Sequence, residues 1–150
     1  MPLQLEVVTI ERQVYAADDV DMVVAPGSEG VMGILPRHEP IVTALKEGAL
    51  EIVRGGEREV LAIGGGFMEV RGSRVVVMAD VAEHADEIDE AKAEAARARA
   101  ETVLKETPHA VEAEEALREL HLARARLQVA RRSRRSGAPH ARHSVGEGGE

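Results

Sequence analysis

The change in pattern that decides the fold lies within residues 75–100, VVVMADVAEHADEIDEAKAEAARARA. Up to about Ala82 the chain consists of short apolar runs interrupted by glycine and charged residues, which is typical of β-strands. After Asp86 the residues Ala, Glu, Arg and Leu dominate and glycine is absent until Gly137, which favours helices. The sequence therefore predicts an α+β fold, an N-terminal antiparallel β-sandwich followed by a C-terminal antiparallel α-helical hairpin.

Six short segments before Ala82 are predicted to be strands. Apolar residues alternate with polar ones over residues 3–7, which is the period of a half-buried strand. Segments 55–56 and 71–73 contain glycine and are predicted to be hairpin turns. Closely spaced strands without helical patterns between them indicate an antiparallel sandwich or barrel. The other five predicted strands cover residues 20–25, 49–53, 60–63, 67–70 and 75–78.

Two helices are predicted after the strands. Asp86 is predicted to be the first N-cap, because acidic residues follow it and suit a helix N-terminus. Thr107 and Pro108 are predicted to be the N-cap and first residue of the second helix. Small and apolar residues recur at spacings of three and four. The predicted seam is Ile88, Ala91, Ala95, Ala98 and Thr102 in the first helix and Ala113, Ala116, Leu120, Ala123, Leu127 and Ala130 in the second.

The predicted seam of the hairpin is mostly alanine. Each alanine buries little area, and burial stabilises by only ~25 cal/mol per Å². The hairpin should therefore be marginal by itself, whereas high helix propensity should let the helices persist while the hairpin opens. The predicted domains are a β-sandwich head, residues 1–84, a helical hairpin, residues 85–133, and a disordered basic and Gly-rich tail, residues 134–150.

Charge is distributed unevenly along the chain. Residues 1–86 carry 7 Lys and Arg against 15 Asp and Glu, whereas residues 131–150 carry 5 against 2. An acidic head argues against nucleic acid as a partner, because phosphate binding needs a basic face. There is no cysteine and no apolar run long enough for a membrane span. We expect a soluble chain that is not exported and reaches a membrane only through a partner.

Motifs for catalysis or metal binding are not found. The six histidines form no metalloprotease pair with glutamate, and there is no cysteine to complete a zinc site. Gly64-Gly65-Gly66 precedes a predicted strand, whereas a phosphate loop precedes a helix. Ser28 lies in a predicted turn with no base nearby in sequence. The sequence therefore predicts no catalytic residue and no metal site.

Three segments together carry a family resemblance. They are GSEGVMGILPRHEP at residues 27–40, GGFMEV at residues 65–70 and EIDEAKA at residues 87–93. In this order and spacing, on a sandwich-then-hairpin pattern, they resemble the epsilon subunit of bacterial F-type ATP synthases. The resemblance covers about residues 3–131.

The resemblance implies a non-catalytic rotor subunit. In the family the head lies at the foot of the central stalk, against the gamma subunit and the c ring. The tail folds beside the head or extends towards the catalytic beta and alpha subunits, and the extended form inhibits ATP hydrolysis. The implied role is to couple gamma to the c ring during ion-driven ATP synthesis, and the implied location is the cytoplasmic face of the cell membrane, peripheral, within the complex.

The resemblance also implies a nucleotide site, although no cofactor is required. In some members an Ile/Leu-Asp-x-x-Arg-Ala motif binds ATP, which acts as a regulatory ligand, and holds the tail down. Here lysine replaces the arginine of that motif, and Leu122 replaces a further arginine. Lysine lacks the bidentate fork of arginine, so we expect weaker ATP binding. The alternative is that Asp89 caps the helix while the cations line a solvated face. The implied contacts are Glu83, Ile88, Asp89, Lys92, Ala93, Arg99 and Arg126.

Two protein-binding surfaces are predicted as well. Val31 and Met32 on an exposed turn and His38 on a constrained loop are expected to contact gamma or the c ring, although His38 could instead pack on the head. A basic cluster on the last helix is expected to meet an acidic loop of a catalytic beta subunit, although a solvated run would suit a helix C-terminus equally. That cluster is Arg124, Arg126, Arg131, Arg132, Arg134 and Arg135.

Two rival functions stay open at this stage. One is a free-standing nucleotide-sensing protein that uses the hairpin, and the other is an enzyme on a sandwich fold. A rotor subunit should co-purify with gamma, whereas a nucleotide sensor need not. Turnover of a substrate by the isolated chain would favour the enzyme.

Overall fold

The computed structural model describes residues 1–107 and 109–136, which form a β-sandwich head and two helices. A single 3₁₀ turn, Ala85–Glu87, joins them, and the helices are α1, Glu90–Glu106, and α2, Ala110–Ser136. This confirms the predicted α+β fold. The strands are β1 (Leu3–Val8), β2 (Gln13–Val20), β3 (Met22–Gly27), β4 (Gly30–Ile34), β5 (His38–Leu45), β6 (Gly48–Arg54), β7 (Glu57–Gly72) and β8 (Arg74–His84).

The strands are connected into one sheet that folds over on itself. Its order is β2-β1-β8-β7-β5-β3-β4, and β6 pairs with both β3 and β7. Since β3 also pairs with β5, the strands β3, β6, β7 and β5 close a ring around the core. Every described pairing is antiparallel except that of β1 with β8, which is parallel.

The long strand β7 serves both layers of the head. Its first half pairs with β6 and its second half with β5, and the change falls at Gly64-Gly65-Gly66. Gly65 and Gly66 have φ of 76° and 113°. Residues other than glycine rarely adopt these backbone angles. The sequence predicts two strands here, at 60–63 and 67–70. The single strand is possible because glycine lets the backbone bend without ending the pairing.

Both predicted hairpin turns are confirmed. Gly55 and Gly56, with φ of 58° and 83°, join β6 to β7 across the pair Arg54 and Glu57, as a two-residue turn with two positive φ values requires. The turn at Gly72 and Ser73 joins β7 to β8.

The hydrophobic core lies entirely within the head. Every strand contributes side chains to it, and Tyr15, on β2, is its largest fully buried side chain. Aliphatic residues supply nearly all the remainder, as the near absence of aromatic residues predicts. The fully buried members include Leu3, Leu5, Val7, Val20, Val23, Ile34, Leu50, Ile52, Leu61, Ile63 and Met68.

The helix ends differ from the sequence prediction. The N-cap of α1 is Asp89, whose Oδ1 accepts a hydrogen bond from the Lys92 backbone N–H at 3.1 Å. Asp86 instead lies in the 3₁₀ turn, which follows β8 and precedes the N-cap Asp89. Thr107 is the C-cap of α1, and α2 begins at Ala110. The helix α2 continues to Ser136, beyond the predicted end at 133, and residues 137–150 lie outside the described part of the chain.

The predicted seam is confirmed in α2 and wrong in α1. In α2, Ala116, Leu120, Ala123, Leu127 and Ala130 are buried and Ala113 is half-buried. In α1 the buried residues are instead Ala93 and Ala100. The predicted Ala91, Ala95, Ala98 and Thr102 are all exposed, and Ile88 precedes the helix. The helix α1 is therefore rotated relative to the expected orientation.

Candidate functional site

The helix α2 lies against the head, next to β6 and β7. Its residue Leu122 covers the glycine segment of β7, since a Cβ atom on Gly64 would lie 3.1 Å from Leu122 Cδ1 and 3.1 Å from Val81 Cβ. Val129, two turns further along the same face, is fully buried. The absence of a side chain at Gly64 therefore lets α2 approach the strand closely.

Two arginines of the predicted basic cluster bind carboxylates of the head. Arg126 donates from Nε to Glu83 Oε1 at 2.7 Å and from Nη2 to Glu83 Oε2 at 3.1 Å, a bidentate pair. Arg132 donates from Nη1 to Glu51 Oε2 at 3.2 Å, while Arg58 donates to the other oxygen of Glu51. All of these side chains except that of Arg58, which is more exposed, are about one-quarter exposed.

The two cations determine the ionisation of Glu51. Partial burial works to raise the pKa of this carboxyl, but the hydrogen bonds from Arg58 and Arg132 outweigh burial and lower its pKa below the ordinary value. Glu51 is therefore a carboxylate at neutral pH and can hold both guanidinium groups.

Two further arginines pair within the hairpin. Arg124 Nη2 lies 3.7 Å from Glu101 Oε2, and Arg131 Nη2 lies 3.6 Å from Glu94 Oε1. Arg97 lies between the two carboxylates on α1 and bonds to both. Thus four of the six predicted cluster residues have acidic partners in this conformation. The side chains of Arg134 and Arg135 lie outside the described part of the chain.

The residues of the implied nucleotide site are divided among different roles. The structure brings Glu83 and Arg126 together as an ion pair, and Asp89 acts as the helix cap. Ala93 is buried, Ile88 is half-buried, and Lys92 and Arg99 are exposed on α1. The capping role of Asp89 is the alternative that the sequence left open. The cap uses Oδ1, so the other carboxylate oxygen can still contact a ligand.

The predicted partner surface lies on strands rather than on a turn or loop. Val31 is 74% exposed and Met32 is half-buried against the core, both on β4, because these residues pair with β3. His38 begins β5, and its Nδ1 lies 2.7 Å from the Glu39 carbonyl oxygen. Only residues 35–37 connect β4 to β5, and Arg37 among them has φ of 63°.

Sequence reasoning missed a larger apolar surface on the neighbouring strands. Val42, Phe67 and Met78 are 67%, 54% and 44% exposed. Phe67 pairs with Ala44 of β5 and with Met78 of β8, so these side chains lie on one outer face. The adjacent Met68 points inwards and is fully buried. The sequence signal for this surface is that apolar residues occupy both faces of β7. A strand with one solvated face would alternate apolar and polar residues.

Within residues 1–107 and 109–136, no group of three or more His, Cys, Asp or Glu side chains is placed to hold a metal ion. None of the helices in these ranges is long and apolar enough to cross a membrane.

The head and the hairpin each match a domain of one protein family. The delta/epsilon chain beta-sandwich domain of ATP synthase matches residues 2–85, and the delta/epsilon chain long alpha-helix domain matches residues 86–131. The chain belongs to the ATP synthase delta/epsilon chain family. This membership confirms the predicted resemblance and the prediction of a non-catalytic subunit.

Among its relatives are proteins named ATP synthase epsilon chain. That of Herpetosiphon aurantiacus is 50% identical over 131 residues, which are 87% of this chain and 96% of the relative. That of Desulforamulus reducens is 46% identical over 127 residues, 85% of this chain and 96% of the relative.

Two solved structures resemble the fold. A chain of the Euglena gracilis mitochondrial ATP synthase, from an OSCP/F1/c-ring structure, has a TM-score of 0.73 and 25% identity, covering 86% of this chain and 81% of that chain. A chain of the Tetrahymena thermophila mitochondrial ATP synthase, from its central stalk and c ring, has a TM-score of 0.59 and 14% identity, over 87% and 97%. The second shows the fold alone.

Proposed function

We propose that the chain is a central-stalk rotor subunit of an F-type ATP synthase that couples gamma to the c ring during ion-driven ATP synthesis. Its head would bind these partners through the apolar face of Phe67, Met78 and Val42 and through Val31, Met32 and His38. The subunit would lie at the cytoplasmic face of the cell membrane, peripheral, held there by the complex. Family membership and the exposed apolar face support this role.

Co-purification tests the rotor role. A tagged chain expressed with the remaining subunits should bring gamma with it, and Phe67→Glu should reduce the recovered gamma because it places a charge on the apolar face. Glu69→Gln, on the same face of β7, serves as the matched control. Recovery of the tagged chain without gamma would reject the rotor role.

We further propose that the hairpin inhibits ATP hydrolysis when it leaves the head. The observation that carries this proposal is that α2 is docked on the head through one face, which carries Leu122 and Val129, and through two partly exposed ion pairs. An extended α2 would present its arginines to an acidic loop of a catalytic beta subunit, with alpha subunits nearby.

Hydrolysis by the reconstituted complex tests the inhibition. Neutralising Arg131, Arg132, Arg134 and Arg135 together to Gln should relieve inhibition, and added salt should mimic the change because it screens the same charges. Arg118→Gln, also on α2, is the control. Undiminished inhibition by the fourfold variant would reject the role of the cluster.

We propose ATP as a weak regulatory ligand of the docked hairpin. Its phosphates would meet Arg126 beside Glu83, and Lys92 and Arg99 would add positive charge from α1. Ile88, Asp89 and Ala93 would form the rest of the site. A ligand that bridges both helices favours the conformation it binds.

Calorimetry of the isolated chain tests ATP binding. Saturable heat at millimolar ATP is expected, reduced in Arg126→Ala and in Asp89→Asn. Asparagine retains the ability to cap the helix, so its effect separates ligand binding from capping. No saturable heat, or equal heat in all three proteins, would reject the site.

A further inference from the structure

We propose that Glu51 and Glu83 form a carboxylate latch that holds α2 on the head by occupying Arg132 and Arg126. This inference rests on the proposed function, because it treats the docked hairpin as the state that withholds those arginines from an acidic partner. The latch is intramolecular and needs no ligand.

The latch residues lie at two separate points of the head and meet one face of α2. Glu83 is near the end of β8 and Glu51 is in the middle of β6. Arg126 and Arg132 follow Leu122 by four and ten positions, about 40° to one side and about 80° to the other side of it around the helix, and both reach carboxylates of the head. Two ion pairs about 1.7 turns apart, with an apolar contact beside them, fix both the position and the rotation of the helix.

The other two ion pairs of the cluster do not contribute to docking. Arg124 with Glu101 and Arg131 with Glu94 join α2 to α1, so they persist when the hairpin leaves the head as a unit. The arginines are therefore released in two groups. Undocking frees Arg126 and Arg132, and only separation of α1 from α2 frees the other two.

The geometry also makes the latch readily reversible. When Arg132 leaves, Glu51 keeps its hydrogen bond from Arg58, so this carboxylate is not left as an isolated, partly buried charge. Both ion pairs are partly exposed, and such pairs weaken as salt screens them. An acidic surface on a partner thus competes with the two glutamates for the same guanidinium groups.

Labelling of a single thiol can measure docking in the full chain, because the sequence contains no cysteine. Ala125 is 3% exposed and lies between Leu122 and Arg132 on the head-facing side of α2. A cysteine at Ala125→Cys should react with a soluble disulfide reagent only when α2 undocks. Its rate therefore reports even a small undocked fraction.

The test variant is Glu51→Gln with Glu83→Gln in the Ala125→Cys background. Loss of two partly exposed ion pairs should raise the labelling rate about fivefold to thirtyfold. The matched control, Glu94→Gln with Glu101→Gln, removes two carboxylates that pair with α2 but lie on α1, and should change the rate less than about twofold. Sodium chloride at about 0.5 M should accelerate labelling of the background protein more than that of the latch variant.

A charge exchange, Glu83→Arg with Arg126→Glu, should label more slowly than Glu83→Arg alone, because it restores attraction at the same place. An unchanged rate in the latch variant, or equal acceleration in the control, would overturn the proposal. Circular dichroism before labelling identifies any variant that has unfolded, and the salt comparison then decides the question on the background protein.

Failure of the latch and failure of the proposed function give different results. The labelling experiment uses the isolated chain, whereas inhibition is measured on the complex. If the latch exists, the latch variant should inhibit hydrolysis more strongly, which is the opposite sign to the arginine variants. A labelling response without any effect of the arginine variants on hydrolysis would retain the latch and reject its inhibitory role.

Discussion

The histidine at the end of β8 holds together three segments of the head. The ring of His84 places Nε2 at 2.9 Å from the Val14 carbonyl oxygen and Nδ1 at 3.7 Å from Glu59 Oε2. Its backbone N–H donates to Glu87 Oε1 at 2.9 Å. The interaction with Glu59 raises the pKa of His84, burial opposes it, and Val14 and Glu87 raise it further, so that the pKa lies above the ordinary value.

This shift predicts a pH dependence of head stability. Because the folded pKa of His84 is raised, its protonation stabilises the folded head fully below the unfolded pKa of about 6.5, and this gain is lost as pH rises through the folded pKa. In His84→Gln the free energy of unfolding should lose that part of its pH dependence. Urea unfolding at several pH values measures it. His121→Gln, at an exposed site of α2, should keep the wild-type slope, and an unchanged slope in His84→Gln would contradict the assignment.

At Gly66 a side chain has no space. The residue has φ of 113°, and a Cβ atom would lie 2.2 Å from the Met78 carbonyl oxygen. We expect Gly66→Ala to destabilise the head by about 2 kcal/mol or more, since it combines backbone strain with a clash against main chain. Gly33→Ala is the matched control on β4, where a Cβ would meet nothing within 4 Å. Thermal unfolding should show a clear loss for the first variant alone, and equal midpoints would refute this explanation.

At the scale of elements, the sequence predicts the buried face of α2 correctly and that of α1 incorrectly, for a physical reason. In α2 the large side chains Leu120 and Leu127 identify the buried face. In α1 alanine occurs on several faces, so its spacing does not distinguish the face towards α2 from the exposed one. The buried positions Ala93 and Ala100 are identified only by the partner helix.

The corrected seam predicts different effects at neighbouring alanines. Ala100→Leu adds volume at a fully buried position between the helices and should destabilise the hairpin by about 1–3 kcal/mol. Ala98→Leu, on the exposed side, should change stability by less than about 0.5 kcal/mol. Hydrogen exchange of the α1 amides measures the hairpin separately from the head. A larger effect of Ala98→Leu than of Ala100→Leu would show that α1 packs through the seam predicted from the sequence.

The candidate site shows a similar limit of sequence reasoning. The arginine cluster is visible in the sequence because its members crowd one segment. Its partners are not visible, since Glu51 is 81 residues from Arg132 and Glu83 is 43 from Arg126. Nothing distinguishes these two from the many other carboxylates of the head before the sheet is folded. Residues 38–45, which form β5, were also not predicted as a strand, because polar and apolar residues do not alternate regularly there.

At the scale of the whole molecule, stability and regulation belong to different parts. Every member of the large hydrophobic cluster lies between Leu3 and Ala82. The hairpin contributes a separate, mostly alanine seam and one face against β6 and β7. Its position can therefore change without disturbing the core of the head, as the proposed inhibitory role requires.

This division predicts that the head folds without the hairpin. A chain that ends at Ile88 keeps the complete core, the His84 interactions and the ion pair of Arg12 with Glu87 at 2.8 Å. It loses the cover that Leu122 provides over Gly64, and the ion pairs of Glu83 with Arg126 and of Glu51 with Arg132. We expect a β-type circular dichroism spectrum and cooperative thermal unfolding, with the midpoint lowered by about 4–8 °C for each kcal/mol of docking energy lost.

The same fragment separates the two roles of the molecule. Within the complex it should support assembly and coupled synthesis, because the proposed partner-binding faces lie on the head. It should no longer inhibit hydrolysis, because the arginines of α2 are absent. The full chain reconstituted in parallel is the control. A random-coil spectrum would show that the head depends on α2. A folded fragment that still inhibits would place the inhibitory contact on the head, where the apolar face of Val42, Phe67 and Met78 would be the first surface to test.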